Sequence, residues 1–189
     1  NEDRLSREHA ILDHAKDGAA GLYSMVGGKL ASYRLFSEEM TDLIAQRLGR
    51  GSPCQSHTLA LPGGDEAVDP MQLVLEGGME AVTATRLEYR HGSRSLRILE
   101  RMQRDPREAA VACACEPVTV AEIRYVIDQE LATSVEDVSR RTRLGLGACG
   151  GMRCAARCGR IVADATGKSP AQGLAMAMRF LRAAARRRS

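Results

Sequence analysis

The chain has 189 residues, of which 44% are apolar, 3% aromatic with no Trp, and 27% charged, with a formal net charge of +3. That length accommodates one large domain or two to three small ones, with aliphatic, Ala- and Met-rich cores. No apolar run approaches the roughly 20 residues that span a bilayer, and the first residues lack a signal-peptide pattern, so the reading is of a soluble, cytoplasmic chain. Much of the positive excess sits in Arg179, Arg182, Arg186, Arg187 and Arg188. The tail reads as the solvated end of a helix and not as a nucleic-acid surface.

Residues 1–15 are polar apart from the apolar patch Ala10-Ile11-Leu12, and Gly21 to Val26 follow as a short strand. Gly27-Gly28 breaks the pattern, and from Lys29 to about Leu48 apolar residues recur at helical spacing, with Gly49 as the stop. The Gly- and Pro-rich stretch from Gly49 to Asp69 reads as a loop and a domain junction. Helices are expected over Met71–Leu75, Ala81–Glu88 and Ser93–Met102, the first two separated by Gly77-Gly78. The apolar run Ala109–Ala112 delivers the chain to Cys113, and Thr119-Val120-Ala121-Glu122 has the spacing of a capping box opening a further helix. Ser134 starts another helix, with Val138 and Thr142 inward, which ends in the glycine turn Leu144–Gly147. A helix from Gly151 or Met152 to about Ala165 comes next. After Gly167–Pro170 a last amphipathic helix carries Leu174, Met176, Met178, Phe180 and Leu181. The fold class is therefore mainly α with a small β component.

Four cysteines fall in two close pairs, Cys113 with Cys115 and Cys149 with Cys154, separated by 33 residues. Clustered thiols in a chain of this kind point to metal or redox work more than to disulfides. Four thiolates suit a tetrahedral zinc or a 2Fe-2S cluster. Gaps of one and four residues depart from the Cys-x2-Cys knuckles of zinc sites, and glycines at 145, 147, 150 and 151 let backbone amides approach sulfur, which favours 2Fe-2S with zinc as the alternative. Cys158, one helical turn after Cys154, reads as a buried apolar residue, and Cys54 as unrelated to function.

The string Cys-x-Cys-Glu-x-Val-Thr-x-x-Glu-Ile-Arg, then Arg-Arg-Thr-Arg-Leu-Gly-Leu-Gly-x-Cys-x4-Cys, resembles the 2Fe-2S domain of the bacterioferritin-associated-ferredoxin type over about residues 110 to 166. The resemblance implies Cys113, Cys115, Cys149 and Cys154 as the metal ligands.

A second element is Gly27-Gly28-Lys29-Leu30-Ala31-Ser32-Tyr33-Arg34. Two glycines at a strand-to-helix turn admit a cofactor to the backbone, and Lys29 supplies a mobile charge for a phosphate; a tight turn with a solvated Lys is the competing reading. Together with Ser6-Arg7-Glu8-His9, Leu12-Asp13-His14, Asp17-Gly18 and Gly21-Leu22-Tyr23-Ser24, it resembles the FAD-dependent glycerol-3-phosphate dehydrogenases. The resemblance implies that Arg7 and Lys29 hold the substrate phosphate and that Gly27, Gly28, Lys29 and Leu30 contact the flavin. Ala31 and Ser32 stand where that family has two Thr, which removes a hydroxyl at Ala31. His14 is the candidate general base, against a structural or cofactor-orienting role, and His9 is a second histidine of the same kind.

Taken in order, the elements resemble the A subunits of the anaerobic glycerol-3-phosphate dehydrogenases. Residues 1–50 then read as the C-terminal remnant of an FAD-binding α/β domain, 51–108 as linker and small helical region, 109–166 as the 2Fe-2S domain and 167–189 as a basic amphipathic helix. The chain contains no Gly-x-Gly-x-x-Gly fingerprint, which in the family lies at the N-terminus, so the expectation is of a C-terminal portion, inactive alone. The resemblance further implies oxidation of glycerol 3-phosphate to dihydroxyacetone phosphate. Electrons would pass from flavin through the cluster to partner subunits, among them a membrane-anchoring iron-sulfur subunit, at the inner face of the cell membrane. Two other readings remain: a non-enzymatic electron-transfer or assembly module of another flavin dehydrogenase, and a zinc-stabilised interaction domain.

Overall fold

The computed structural model describes residues 9–186. Within them the chain forms two compact units, one ending at Ala60 and one beginning at Leu61. As expected, the fold is mainly α with a small β component.

In the first unit, strand β1 (His9–Asp13) pairs antiparallel with β2 (Tyr23–Gly27), in register from His9 opposite Gly27 to Asp13 opposite Tyr23. The apolar patch Ala10–Leu12 is therefore a strand, which its length alone did not signal. A single 3-10 turn over Leu30–Ser32 leads into helix α1 (Tyr33–Arg47). Its one buried residue is Phe36, which faces His9 with ring centroids 3.9 Å apart, while Leu30 and Leu48 lie in solvent. Residues 48–60 form turns and loop, as expected.

The second unit opens with α2 (Pro70–Gly77), started by Asp69, whose carboxylate accepts the Met71 N–H, and stopped by Gly78 in the left-handed region. Helices α3 (Ala81–His91) and α4 (Ser95–Arg104) follow, joined by a 3-10 turn. Residues expected only as an apolar run form strand β3 (Val111–Cys113), paired with the two-residue β4 (Val118–Thr119). This short hairpin holds the first cysteine pair. Helices α5 (Val120–Glu130) and α6 (Val135–Thr142) start at the residues the sequence marks: Thr119 Oγ1 accepts the Glu122 N–H at 3.2 Å and Ser134 Oγ accepts the Asp137 N–H at 3.1 Å.

Helix α7 runs Ala155–Ala165, beginning some four residues later than its sequence suggests. Residues 150–154 form successive turns instead, because Gly150 and Gly151 both take positive φ. Helix α8 (Pro170–Arg186) packs along α7 at a close crossing, where a Cβ on Gly159 would stand 2.3 Å from the Gly173 carbonyl oxygen. It buries Met176, Ala177 and Phe180, whereas Leu174 and Met178, expected on the same stripe, face solvent. One hydrophobic core runs from Val68 through α2–α8 to Phe180, so the helices before the cysteine hairpin and those after it share one interior.

Candidate metal centre

Strand β3 ends at Cys113, and the turn that follows carries Cys115. The other pair lies in the turns between α6 and α7, with Cys154 in the last residue before α7. Folding brings the four together. Cys113, Cys115, Cys149 and Cys154 line one cleft of about 190 Å³, beside Val111, Ala112, Ala114 and Arg153. All six cysteines of the chain are free thiols.

The four thiols meet two by two. Cys154 donates its proton toward the Cys113 sulfur, which also receives backbone N–H groups of Gly145, Glu116 and Cys115; these bonds hold the Cys113 thiol down to about 5. The same shared proton, together with burial, pushes Cys154 upward. Amides of Arg153 and Gly151 point at the Cys149 sulfur and lower it, with a further bond from Cys115. As the side chains lie, no group of three or more His, Cys, Asp or Glu among the described residues is closed tightly enough to hold an ion.

The donor set nonetheless fits a thiolate-bound centre. Amides aimed at sulfur stabilise the anionic form that a metal requires, and soft sulfur selects zinc or iron. The backbone is shaped for this approach: a Cβ on Gly147 would stand 2.5 Å from Cys115 Cβ. Phe180 of α8 lies against Gly145 and Gly151, where a Cβ would come within 2.8 and 2.6 Å of its ring. The C-terminal helix is thus the floor of the second cysteine loop. Cys158 is fully buried, its thiol pushed up to about 12 by burial, and it is not among the residues that line the cleft.

Sequence reasoning missed the charged shell behind the first cysteine pair. Glu122 has the position of a capping-box glutamate, but its carboxylate does not turn back to Thr119. It accepts Arg90 Nε at 2.7 Å, Arg90 Nη2 at 2.9 Å and His91 Nε2 at 3.0 Å, with Arg90 4% and Glu122 0% exposed. Arg90 Nη2 also donates to the Pro117 carbonyl at 2.9 Å. Glu116, nearly buried, takes Arg143 Nε at 3.3 Å and stands 3.7 Å from Arg86 Nη1. The only available signal was the acidic residue directly after Cys115.

In the first unit Gly27 and Gly28 take φ of 79° and 85°. The glycine at 28 has a packing reason, since a Cβ there would stand 1.9 Å from the Phe36 ring. Lys29 is exposed and begins the 3-10 turn at Leu30, which is also exposed. His14 is engaged at both ring nitrogens, Nδ1 with Asp17 at 2.8 Å and Nε2 with Ser24 Oγ at 2.9 Å. That arrangement tethers the hairpin. His9 pairs with Glu39. Arg7 lies outside the described residues.

The profile of a family described as the C-terminal domain of alpha-glycerophosphate oxidase matches residues 54–173. Among known proteins, the A subunit of the anaerobic glycerol-3-phosphate dehydrogenase of Haemophilus influenzae is 37% identical over 81% of this chain and 27% of its own length. The corresponding protein of Escherichia coli K12 is 35% identical over 94% of the chain and 32% of its own length. The A1 form from Haloferax volcanii is 33% identical over 81% of the chain and 25% of its own length. The chain thus spans about a third or less of the relatives it matches.

Proposed function

We propose that this chain, which belongs to the family of the C-terminal domain of alpha-glycerophosphate oxidase, is the electron-carrying C-terminal part of an FAD-dependent sn-glycerol-3-phosphate dehydrogenase. The parent enzyme would convert glycerol 3-phosphate to dihydroxyacetone phosphate and deliver electrons to a quinone-linked acceptor. The observation that carries this reading is the convergence of Cys113, Cys115, Cys149 and Cys154, 33 residues apart as pairs, on one cleft under backbone amides. Those four thiolates would hold a 2Fe-2S centre. Such a centre, when bound, supplies one-electron transfer at a potential set by sulfur hydrogen bonds, charge and exposure. The chain's own residues do the rest: amides of Gly145, Glu116, Gly151 and Arg153 stabilise sulfur charge, and the missing side chain at Gly147 makes room for Cys115.

Arg7 and Lys29 are assigned to the substrate phosphate, and Gly27 to Leu30 to the flavin, in the parent enzyme. Exposure of Lys29 supports its share of this, since an unburied ammonium remains available to a phosphate. His14, held through Asp17 and Ser24, is assigned as the general base of the parent enzyme, with an orienting role as the alternative. No helix among the described residues is long and apolar enough to cross a membrane. Attachment at the inner face of the cell membrane would therefore come from partner subunits, including a membrane-anchoring iron-sulfur subunit; that the relatives are themselves named as single subunits supports the existence of others.

The test is anaerobic purification after iron-replete expression, followed by visible absorption and iron and sulfide analysis. A chromophore lost in Cys113→Ser and Cys149→Ser but kept in Cys158→Ser is the expected result. A colourless protein holding one zinc ion overturns the cluster. The chain alone should not reduce a quinone-like dye with glycerol 3-phosphate, and dye reduction would overturn its assignment as an inactive part.

A further inference from the structure

Helix α3 lies outside the segment that carries the cysteines, yet it sends two arginines to the first cysteine turn, Arg90 to a backbone carbonyl and Arg86 to a side-chain carboxylate. Arg86 and Arg90 are four residues apart and so share one helix face. Arg90 is locked by the buried carboxylate of Glu122, which leaves Nη2 held at 2.9 Å from the Pro117 carbonyl. Arg86 stands 3.7 Å from the Glu116 carboxylate, and the same oxygen accepts Arg143 Nε at 3.3 Å. Glu116 is the residue between Cys115 and Pro117, and its own N–H points at the Cys113 sulfur. Arg143 is the residue from which the chain turns into Leu144–Gly147, where the Gly145 N–H also points at that sulfur. One nearly buried carboxylate therefore ties both cysteine-bearing loops to α3.

We infer that Arg86 and Arg90 are positioning residues for the four-cysteine centre, acting through Glu116 and Pro117 to fix the amides that face the Cys113 sulfur. The inference rests on the reading of these cysteines as ligands of an iron-sulfur centre. Its physical basis is that groups behind the ligands orient them and, through hydrogen bonds to sulfur and local charge, tune the electronics of a thiolate-bound cluster. Loosening the Arg86–Glu116–Arg143 bridge would let the two amides drift from the sulfur without removing any ligand. Arg90 contributes the rigid end of the clamp because its guanidinium is 4% exposed and held by a bidentate carboxylate.

The experiment uses the whole chain, purified anaerobically with its iron. It compares wild type with Arg86→Ala, Arg86→Lys, Glu116→Gln and Arg90→Lys by redox titration, and by electron paramagnetic resonance of the dithionite-reduced protein. Arg86→Ala and Glu116→Gln are expected to retain helical circular dichroism and chromophore. They should change the reduced-to-oxidised ratio at a fixed ambient potential about tenfold, a shift of about 59 mV for a one-electron couple, with altered g-values. Arg86→Lys should restore part of the shift, and Arg104→Ala, on an exposed pair with Glu100, should leave both readouts at wild type. Arg90→Lys reports on the buried arm; if it fails to fold, the half-exposed Arg86 and its partner still decide the matter. Potentials and g-values that superimpose on wild type in both Arg86→Ala and Glu116→Gln overturn the positioning role and leave the cluster standing. A wild-type chain without an iron chromophore overturns the cluster reading and this inference with it.

Discussion

Removing the Glu122 carboxylate is the most incisive perturbation of the second unit. Glu122→Ala strips three N–H donors of their acceptor at once, two on Arg90 and one on His91. Arg90 Nη1 and His91 Nδ1 already lack a hydrogen-bond partner among the described residues, so the loss adds to polar groups that are unpaired inside the core. Hydrogen bonds to charged groups contribute about 1.5–3 kcal/mol each. These three share one desolvated carboxylate, however, and the cost of breaking such a buried pair from one side is about 3–5 kcal/mol. That is a large part of the roughly 5–15 kcal/mol that keeps a domain folded. Urea unfolding followed by far-ultraviolet circular dichroism should show the midpoint falling with little change in slope, the signature of lost stability in a native state of unchanged compactness. The double variant Arg90→Met with Glu122→Leu should recover about half of the loss or more, since replacing a buried pair by apolar groups is often neutral or stabilising. A Glu122→Ala protein within about 1 kcal/mol of wild type, below even a single charged hydrogen bond, would refute this account of the interior.

Three further outcomes are expected. Gly159→Ala should destabilise by about 1–3 kcal/mol in the same urea assay, because its Cβ would meet the Gly173 carbonyl at 2.3 Å. Helix propensity alone gives the opposite sign, a gain of about 1 kcal/mol, so stabilisation would show that α7 and α8 can part at little cost. Gly147→Ala should displace Cys115, whose Cβ the new methyl would approach to 2.5 Å, and lower the iron content of the purified chain; undiminished iron would count against the close approach. Asp137 is held below its ordinary value of 3.8 by the Ser134 hydroxyl, the Thr133 amide and nearby arginines. A depressed carboxylate stabilises fully above the ordinary value, and the contribution fades as pH falls through the folded one. Thermal melts should accordingly show a steeper acid decline below about pH 4 in wild type than in Asp137→Asn, and parallel declines would remove Asp137 from the account.

Much was legible from local chemistry. Thr119 and Ser134 cap their helices where their spacing says they should, because a cap is a bond between a hydroxyl and an amide three residues on. The stops at Gly78 and the turn at Leu144–Gly147 follow equally local rules, as do the two cysteine pairs. Where burial competes with local bonding, the local rule gives way. Glu122 has the sequence position of a capping partner, yet Arg90 and His91, about thirty residues earlier, offer a charged partner inside the core. The helix after Cys149 is delayed to Ala155 because glycines 150 and 151 adopt left-handed turns that aim amides at sulfur.

The interior from Val68 to Phe180 is continuous, with α4 and α5 on one core and Phe180 beneath the cysteine loop. Ligand types, their spacing, the helix starts and the mainly helical class reside in the sequence, since each depends on residues within a few positions of one another. The meeting of the two cysteine pairs at one cleft and the grip of α3 on the first of them depend on contacts tens of residues apart. Those arise when the chain buries its apolar faces and must then pair every charge it takes inside.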